Sequence, residues 1–170
     1  VNPTFWDRLD LFARALLPFL ITVTLIVAGM VPLPASAASG VWPALPLVAV
    51  YYWCVHKPEL MPIWIVFVLG LIQDVLSGGL IGVHAISLLC VYAFISWQRR
   101  VFTGAPFTLV WCVFIVVAGV ALTLEWLLHC LGLFVFLDPR PAFFQYLLTV
   151  AAYPAFAWIA VQVGRLMQRR

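Results

Sequence analysis

Charge is what this chain of 170 residues has least of: Lys, Arg, Asp and Glu make up 9% of it, against about 25% in a soluble domain. Asparagine is absent after Asn2. The four cysteines, Cys54, Cys90, Cys112 and Cys130, form no Cys-x-x-Cys pair and no metal-ligand spacing, so they read as small apolar packing residues. No Gly-x-Ser-x-Gly elbow, His-Glu-x-x-His zinc helix, Gly-x-Gly-Asp segment or phosphate loop is present, which argues against the commoner hydrolase and nucleotide chemistries. What remains is 66% hydrophobic, with a mean hydropathy of +1.14. The chain therefore reads as an all-α polytopic membrane protein with no soluble catalytic domain.

The most informative stretch is Gly70 to Gly82. It interrupts an apolar run from Met61 to Trp97, about 37 residues and so too long for one bilayer crossing of about 20. The chain's only Gly-Gly pair lies inside it, and Asp74 is its only carboxylate. Two helices joined by a tight hairpin fit this pattern. Ser77 can hydrogen-bond locally, Gly78 can adopt the left-handed conformation that ends a helix, and Gly79 to Gly82 let a second backbone leave at close range.

Around the hairpin, spans are expected at about 15–32, 42–56, 61–77, 80–98, 106–134 and 142–167. Thr4 and Asp7 form a capping-box pattern before an amphipathic stretch, so residues 1–14 suit an interfacial helix running into the first span, or simply its frayed end. Pro32 to Ala37 imitates a processing site of the Ala-x-Ala kind, but an uncleaved first helix followed by an uncharged external loop serves equally well. Trp42, Pro43, Tyr51, Tyr52 and Trp53 read as interfacial aromatics, and His56-Lys57-Pro58-Glu59 as a polar turn. Asp138-Pro139-Arg140-Pro141 is expected to break the chain, and Pro154 to kink the last helix. Small residues four apart, Gly78 with Gly82, Ala151 with Ala155 and Ala160 with Gly164, suggest close helix packing inside the bundle or against partners.

With six spans, Arg8, Arg14, Lys57, Arg99, Arg100, Arg165, Arg169 and Arg170 fall on one side and Arg140 alone on the other. The positive-inside rule then makes both termini cytoplasmic and turns the Ser77-Gly78-Gly79 tip outward. Asp74, His84, Glu125 and His129 come to similar depth near that outer end, with Glu125 and His129 four apart on one helix face. Ionisable groups in a bilayer are paired, inward-facing or functional. The expectation is a polar cluster in which Asp74 pairs with His84 and approaches Glu125 and His129. It would act as a packing clamp, or as a place where a ligand or partner binds. No metal set and no catalytic constellation is expected among these residues.

Pro43, Tyr52-Trp53, Pro58 and then Gly70-x-x-x-Asp74-x-x-Ser77-Gly78-x-x-x-Gly82 resemble the core pattern of the rod shape-determining MreD family, over about Pro43 to Tyr92. The resemblance implies a non-enzymatic, multi-pass scaffold of the bacterial inner membrane, without cofactor and without nucleic-acid partners. It would sit among membrane lipids, partner MreC, and link MreB filaments to RodA and a class B penicillin-binding protein in peptidoglycan synthesis. It also marks Gly70, Asp74, Ser77, Gly78 and Gly82 as the signature hairpin; Glu125 and His129 belong to no family motif. The family is similar in arrangement to the six-helix substrate-binding subunits of energy-coupling-factor transporters. An alternative is therefore a vitamin-like small-molecule binding subunit, although the loop from Pro32 to Val41 offers only Ser36 and Ser39 as polar side chains.

Overall fold

The computed structural model describes residues 5–29, 42–102 and 104–168. The Thr4 helix start, the external loop with its Pro32–Ala37 segment and the Arg169–Arg170 tail lie outside the described residues, as do the side chains of the N-terminal amphipathic face. Among the described residues the fold is helical, without strands: α1 (Phe5–Ala28), α2 (Leu45–His56), α3 (Ile63–Ser77), α4 (Val83–Trp97), the single turn α5 (Arg99–Phe102), α6 (Phe107–Leu133) and α7 (Arg140–Gln168). A short 3-10 turn, Pro58–Leu60, joins α2 to α3. Two stretches are long and apolar enough to cross a membrane, Phe107–Leu133 and Arg140–Ala160.

The helices alternate in direction. Gly29 after α1, Trp42 before α2, Ser77 at the end of α3 and Gln145 in the first turns of α7 line one cavity. His84 at the start of α4 and His129 near the end of α6 meet Gln145 in another. At the opposite end the Tyr51 ring packs on Phe102, Phe114 and Tyr153, from α5, α6 and the middle of α7. Lys57, α5 with its two arginines, and Arg165 belong to that second end, and Arg140 to the first.

α2 is the centre of the bundle and contacts α1, α4 and α7. It is hydrophobic on every face, which suits a helix surrounded by others, and Pro46 through Cys54 are all buried. Only 12 residues long, it rises about 18 Å and is shorter than the span at 42–56 that hydropathy suggests; Pro46 sits in its first turn, where a missing N–H costs nothing. The aromatics at its far end are not an interfacial belt. Tyr51, Tyr52 and Trp53 are 0%, 5% and 7% exposed, because Tyr51 Oη donates to the Val110 carbonyl at 2.9 Å and its ring fills the space between α6 and α7. A tyrosine whose hydroxyl finds a partner inside has no reason to stay at an interface.

The expected break around Asp138–Pro141 is present and ends at Pro139, while the expectation for two of the small-residue pairs is corrected. α7 begins at Arg140, inside the expected break, with the Asp138 carboxylate accepting from the Arg140 N–H at 3.0 Å and Pro141 tolerated in the first turn. Ala151 and Ala155 face outward, and a Cβ on Gly78 or Gly82 would meet nothing within 4 Å, so none of these four packs helices together inside the bundle. The close backbone crossing is elsewhere: a Cβ on Gly70 would overlap Ala85 Cα and lie 2.8 Å from Ala85 N. Pro154 lies within α7, the helix it was expected to kink.

Candidate functional site

The α3–α4 hairpin follows from a few residues. Ser77 Oγ donates to the Asp74 carbonyl at 3.0 Å, closing the last turn of α3. Gly78 then takes φ 65°, the left-handed cap that glycine reaches without strain. Gly82, at φ 103°, precedes α4 and has no side chain to cap it. Asp74 supplies the missing cap from the neighbouring helix. Its Oδ2 accepts from the Gly82 N–H at 2.8 Å and the Ala85 N–H at 3.3 Å, and its Oδ1 from the His84 N–H at 2.9 Å. These are the first free donors of α4, where a negative charge also opposes the positive end of the helix dipole. Gly70, one turn before Asp74 on the same face, gives α4 the close approach that brings its first turn to the carboxylate.

His84 completes the clamp, its Nδ1 lying 2.9 Å from Asp74 Oδ1. A carboxylate holding three backbone N–H groups is an acceptor, so the His84 Nδ1 carries a proton and donates to it. The ring is 17% exposed and lines a cavity of about 440 Å³ at this end of the bundle.

Glu125 and His129 reach the same cavity from α6. They do share a helix face, but His129 Nδ1 donates to the Glu125 backbone carbonyl at 2.8 Å and not to its carboxylate. The His129 ring stands edge-on to His84 with centroids 6.2 Å apart. The half-buried Glu125 carboxylate has His84, His129 and Asp74 as electrostatic neighbours and Ser87 as a hydrogen-bond partner. Asp74, His84, Glu125 and His129 are thus brought together, with Asp74 and His84 in direct contact and the α6 pair one layer away.

Several residues in or beside the cavity were not among the expected site residues. Ser87, fully buried, faces the Ala121 carbonyl at 3.4 Å as well as Glu125. Trp42, Trp126, Asp138 and Gln145 also line the cavity, and the Trp126 indole N–H is buried without a hydrogen-bond partner among the described residues. The available signal was polarity inside apolar segments: Ser87 is three residues beyond His84, and Gln145 is a long polar side chain early in α7. Thr149 was missed as well. Fully buried on α7, it accepts from the Ala44 N–H at 2.9 Å and so caps α2 from outside, as Asp74 caps α4.

Among the described residues no three His, Cys, Asp or Glu side chains converge to hold a metal. Both Asp74 oxygens are filled by donors, which leaves that carboxylate little capacity as an acid or base.

The sequence profile of one protein family, described as rod shape-determining protein MreD, matches residues 11–160. No curated protein and no solved structure matches the chain.

Proposed function

The chain belongs to the rod shape-determining MreD family, a family of membrane-protein structural components, and on that footing we propose that it is a non-enzymatic scaffold of the cell-elongation machinery. It spans the bacterial inner membrane six times, with both termini cytoplasmic and the Asp74 hairpin facing outward. It partners MreC and, through it, couples MreB filaments to RodA and a class B penicillin-binding protein. The observation that carries this reading is how the Gly70–Gly82 signature is used. Gly70 accommodates a helix crossing, Ser77 closes a turn, Gly78 and Gly82 take left-handed conformations, and Asp74 spends both oxygens capping α4. A signature consumed in holding one shape suits a protein that works by presenting that shape to other helices.

The test is co-purification in mild detergent from a rod-shaped bacterial host, with the chain tagged and wild type compared with Asp74→Asn. MreC and the RodA-containing synthase are expected with wild type and depleted with the variant. The outward cavity of about 440 Å³ favours the second reading, a small-molecule binding subunit. Wild type purifying without these partners but with a tightly held small molecule would overturn the scaffold in its favour.

A further inference from the structure

The turn between α6 and α7 is apolar where a connection between helices is ordinarily polar. No Asp, Glu, Lys or Arg stands between Glu125 and Asp138. Phe134, which ends α6, is 95% exposed and Phe136 80%, with Leu133 and Val135 exposed beside them. The turn is nevertheless well defined. Phe134 has φ 53° and is, among the described residues, the one non-glycine residue in the left-handed region, a conformation that glycine or asparagine adopts with less strain. The Leu137 N–H donates to Cys130 Sγ at 3.4 Å, and the Phe136 ring stands edge-on to Trp126 with centroids 5.2 Å apart. Both contacts hold the chain after Phe134 back against α6 and leave the Phe134 ring outside. A bulky side chain kept strained and exposed points to a use outside the fold.

We propose that this turn is seated in the headgroup and upper acyl layer of the outer leaflet, with Phe134 and Phe136 as its lipid anchors. The name of the leaflet rests on the orientation proposed above; the depth does not. Continuity with the lipid-facing surface selects the occupant. Val116, Val120, Leu127 and Leu131 form one exposed stripe of α6 at helical spacing, and on a membrane-spanning helix such a stripe faces acyl chains. Thr123 lies on the same stripe, but its hydroxyl donates to the Gly119 carbonyl at 2.7 Å and so offers nothing polar to the outside. Phe134, three residues beyond Leu131, extends the stripe past the end of the helix. The reach of α6 agrees. Its 27 residues rise about 40 Å, and at the roughly 20° tilt usual for spans they cross a core of about 30 Å and end in the headgroup layer. The neighbouring turn is apolar as well: Leu80 of the α3–α4 hairpin packs at Gly132, and Ile81 beside it is exposed, so the two turns form one uncharged rim. Phenylalanine and leucine side chains at the boundary of headgroups and acyl chains leave water at little cost to their surroundings.

The experiment places a benzophenone-bearing phenylalanine at one position at a time, Phe134, Phe136, Val120 or Glu59, in the full chain. Each protein is purified into nanodiscs of dioleoyl phosphatidylethanolamine and dioleoyl phosphatidylglycerol and illuminated, and phospholipid adducts are read by intact mass. Val120, on the exposed stripe of α6, is the reference for lipid, and Glu59, exposed in the turn after α2, is the reference for water. Adduct yields at positions 134 and 136 are expected to match the yield at 120 and to exceed the yield at 59 several-fold. Melting midpoints in detergent identify a folding defect at either turn position, and the other position then decides. Yields at 134 and 136 no higher than at 59 would overturn the proposal. So would illumination of intact cells that gives an adduct with a second copy of the chain, or with another protein, in place of lipid. The nanodisc measurement reads depth without any partner, so its failure leaves the scaffold reading to its own co-purification test.

Discussion

Replacing Asp74 tests the hairpin most directly. The carboxylate is 1% exposed and receives four donors, the backbone N–H groups of Gly82, His84 and Ala85 and the Nδ1–H of His84. Asp74→Ala leaves three backbone donors at the start of α4 without a partner. At about 1–3 kcal/mol for each buried, unsatisfied group, reduced where the cavity admits water, the total is about 3–5 kcal/mol. Asp74→Asn keeps one oxygen and can satisfy one pair of donors, while its NH2 opposes the other pair. It should cost about half as much, within the range for a lost N-cap plus one charge-assisted bond. His84→Ala removes a single side-chain bond and should cost about 1 kcal/mol. By the scaling for chains of 150–250 residues, these losses lower the melting midpoint by roughly 6–20 °C for alanine, 3–10 °C for asparagine and 2–4 °C for His84→Ala. The assay is the melting midpoint of detergent-purified protein, followed by size-exclusion recovery after heating. The order alanine, asparagine, His84→Ala is the substance of the prediction. An Asp74→Ala protein as stable as wild type, or no worse than His84→Ala, would refute the idea that Asp74 caps α4.

Two further substitutions separate backbone contacts from side-chain contacts. Gly70→Ala should abolish recovery of folded protein, and Ala85→Gly should not rescue it, because the added methyl meets Ala85 Cα and N and not only its side chain. Gly132→Ala, whose methyl would overlap the Leu80 Cδ1, should instead be rescued by Leu80→Ala, as a flexible side chain can be trimmed where a backbone cannot; recovered yield of the single and double variants decides both cases. Thr149→Val should lower the melting midpoint by the equivalent of about 1–2 kcal/mol through the orphaned Ala44 N–H, with Thr149→Ser close to wild type.

The depletion of charge, the apolar runs and the glycine pattern were enough to determine a helical membrane chain with a tight turn at Ser77–Gly78, because hydrophobic periodicity and left-handed glycine are local properties. The pairing of Asp74 with His84 was legible for the same reason: the two are ten residues apart across a short hairpin, so few geometries connect them. What the carboxylate does there was not legible. Capping depends on where the α4 backbone passes, and that is decided by the Gly70–Ala85 crossing, a contact between helices. Composition could not reveal that α2 is the central helix either, since a helix apolar on all sides suits lipid and protein surroundings equally. The tertiary structure decided it by enclosing Tyr51 between α6 and α7 and giving its hydroxyl the Val110 carbonyl. In the same way the polar cavity draws residues from the lead-in to α2 and from α4, α6 and α7, and from the loop between the last two, separated by up to about a hundred positions. Side chains that far apart along the chain share a site only once the packing of the helices has been chosen.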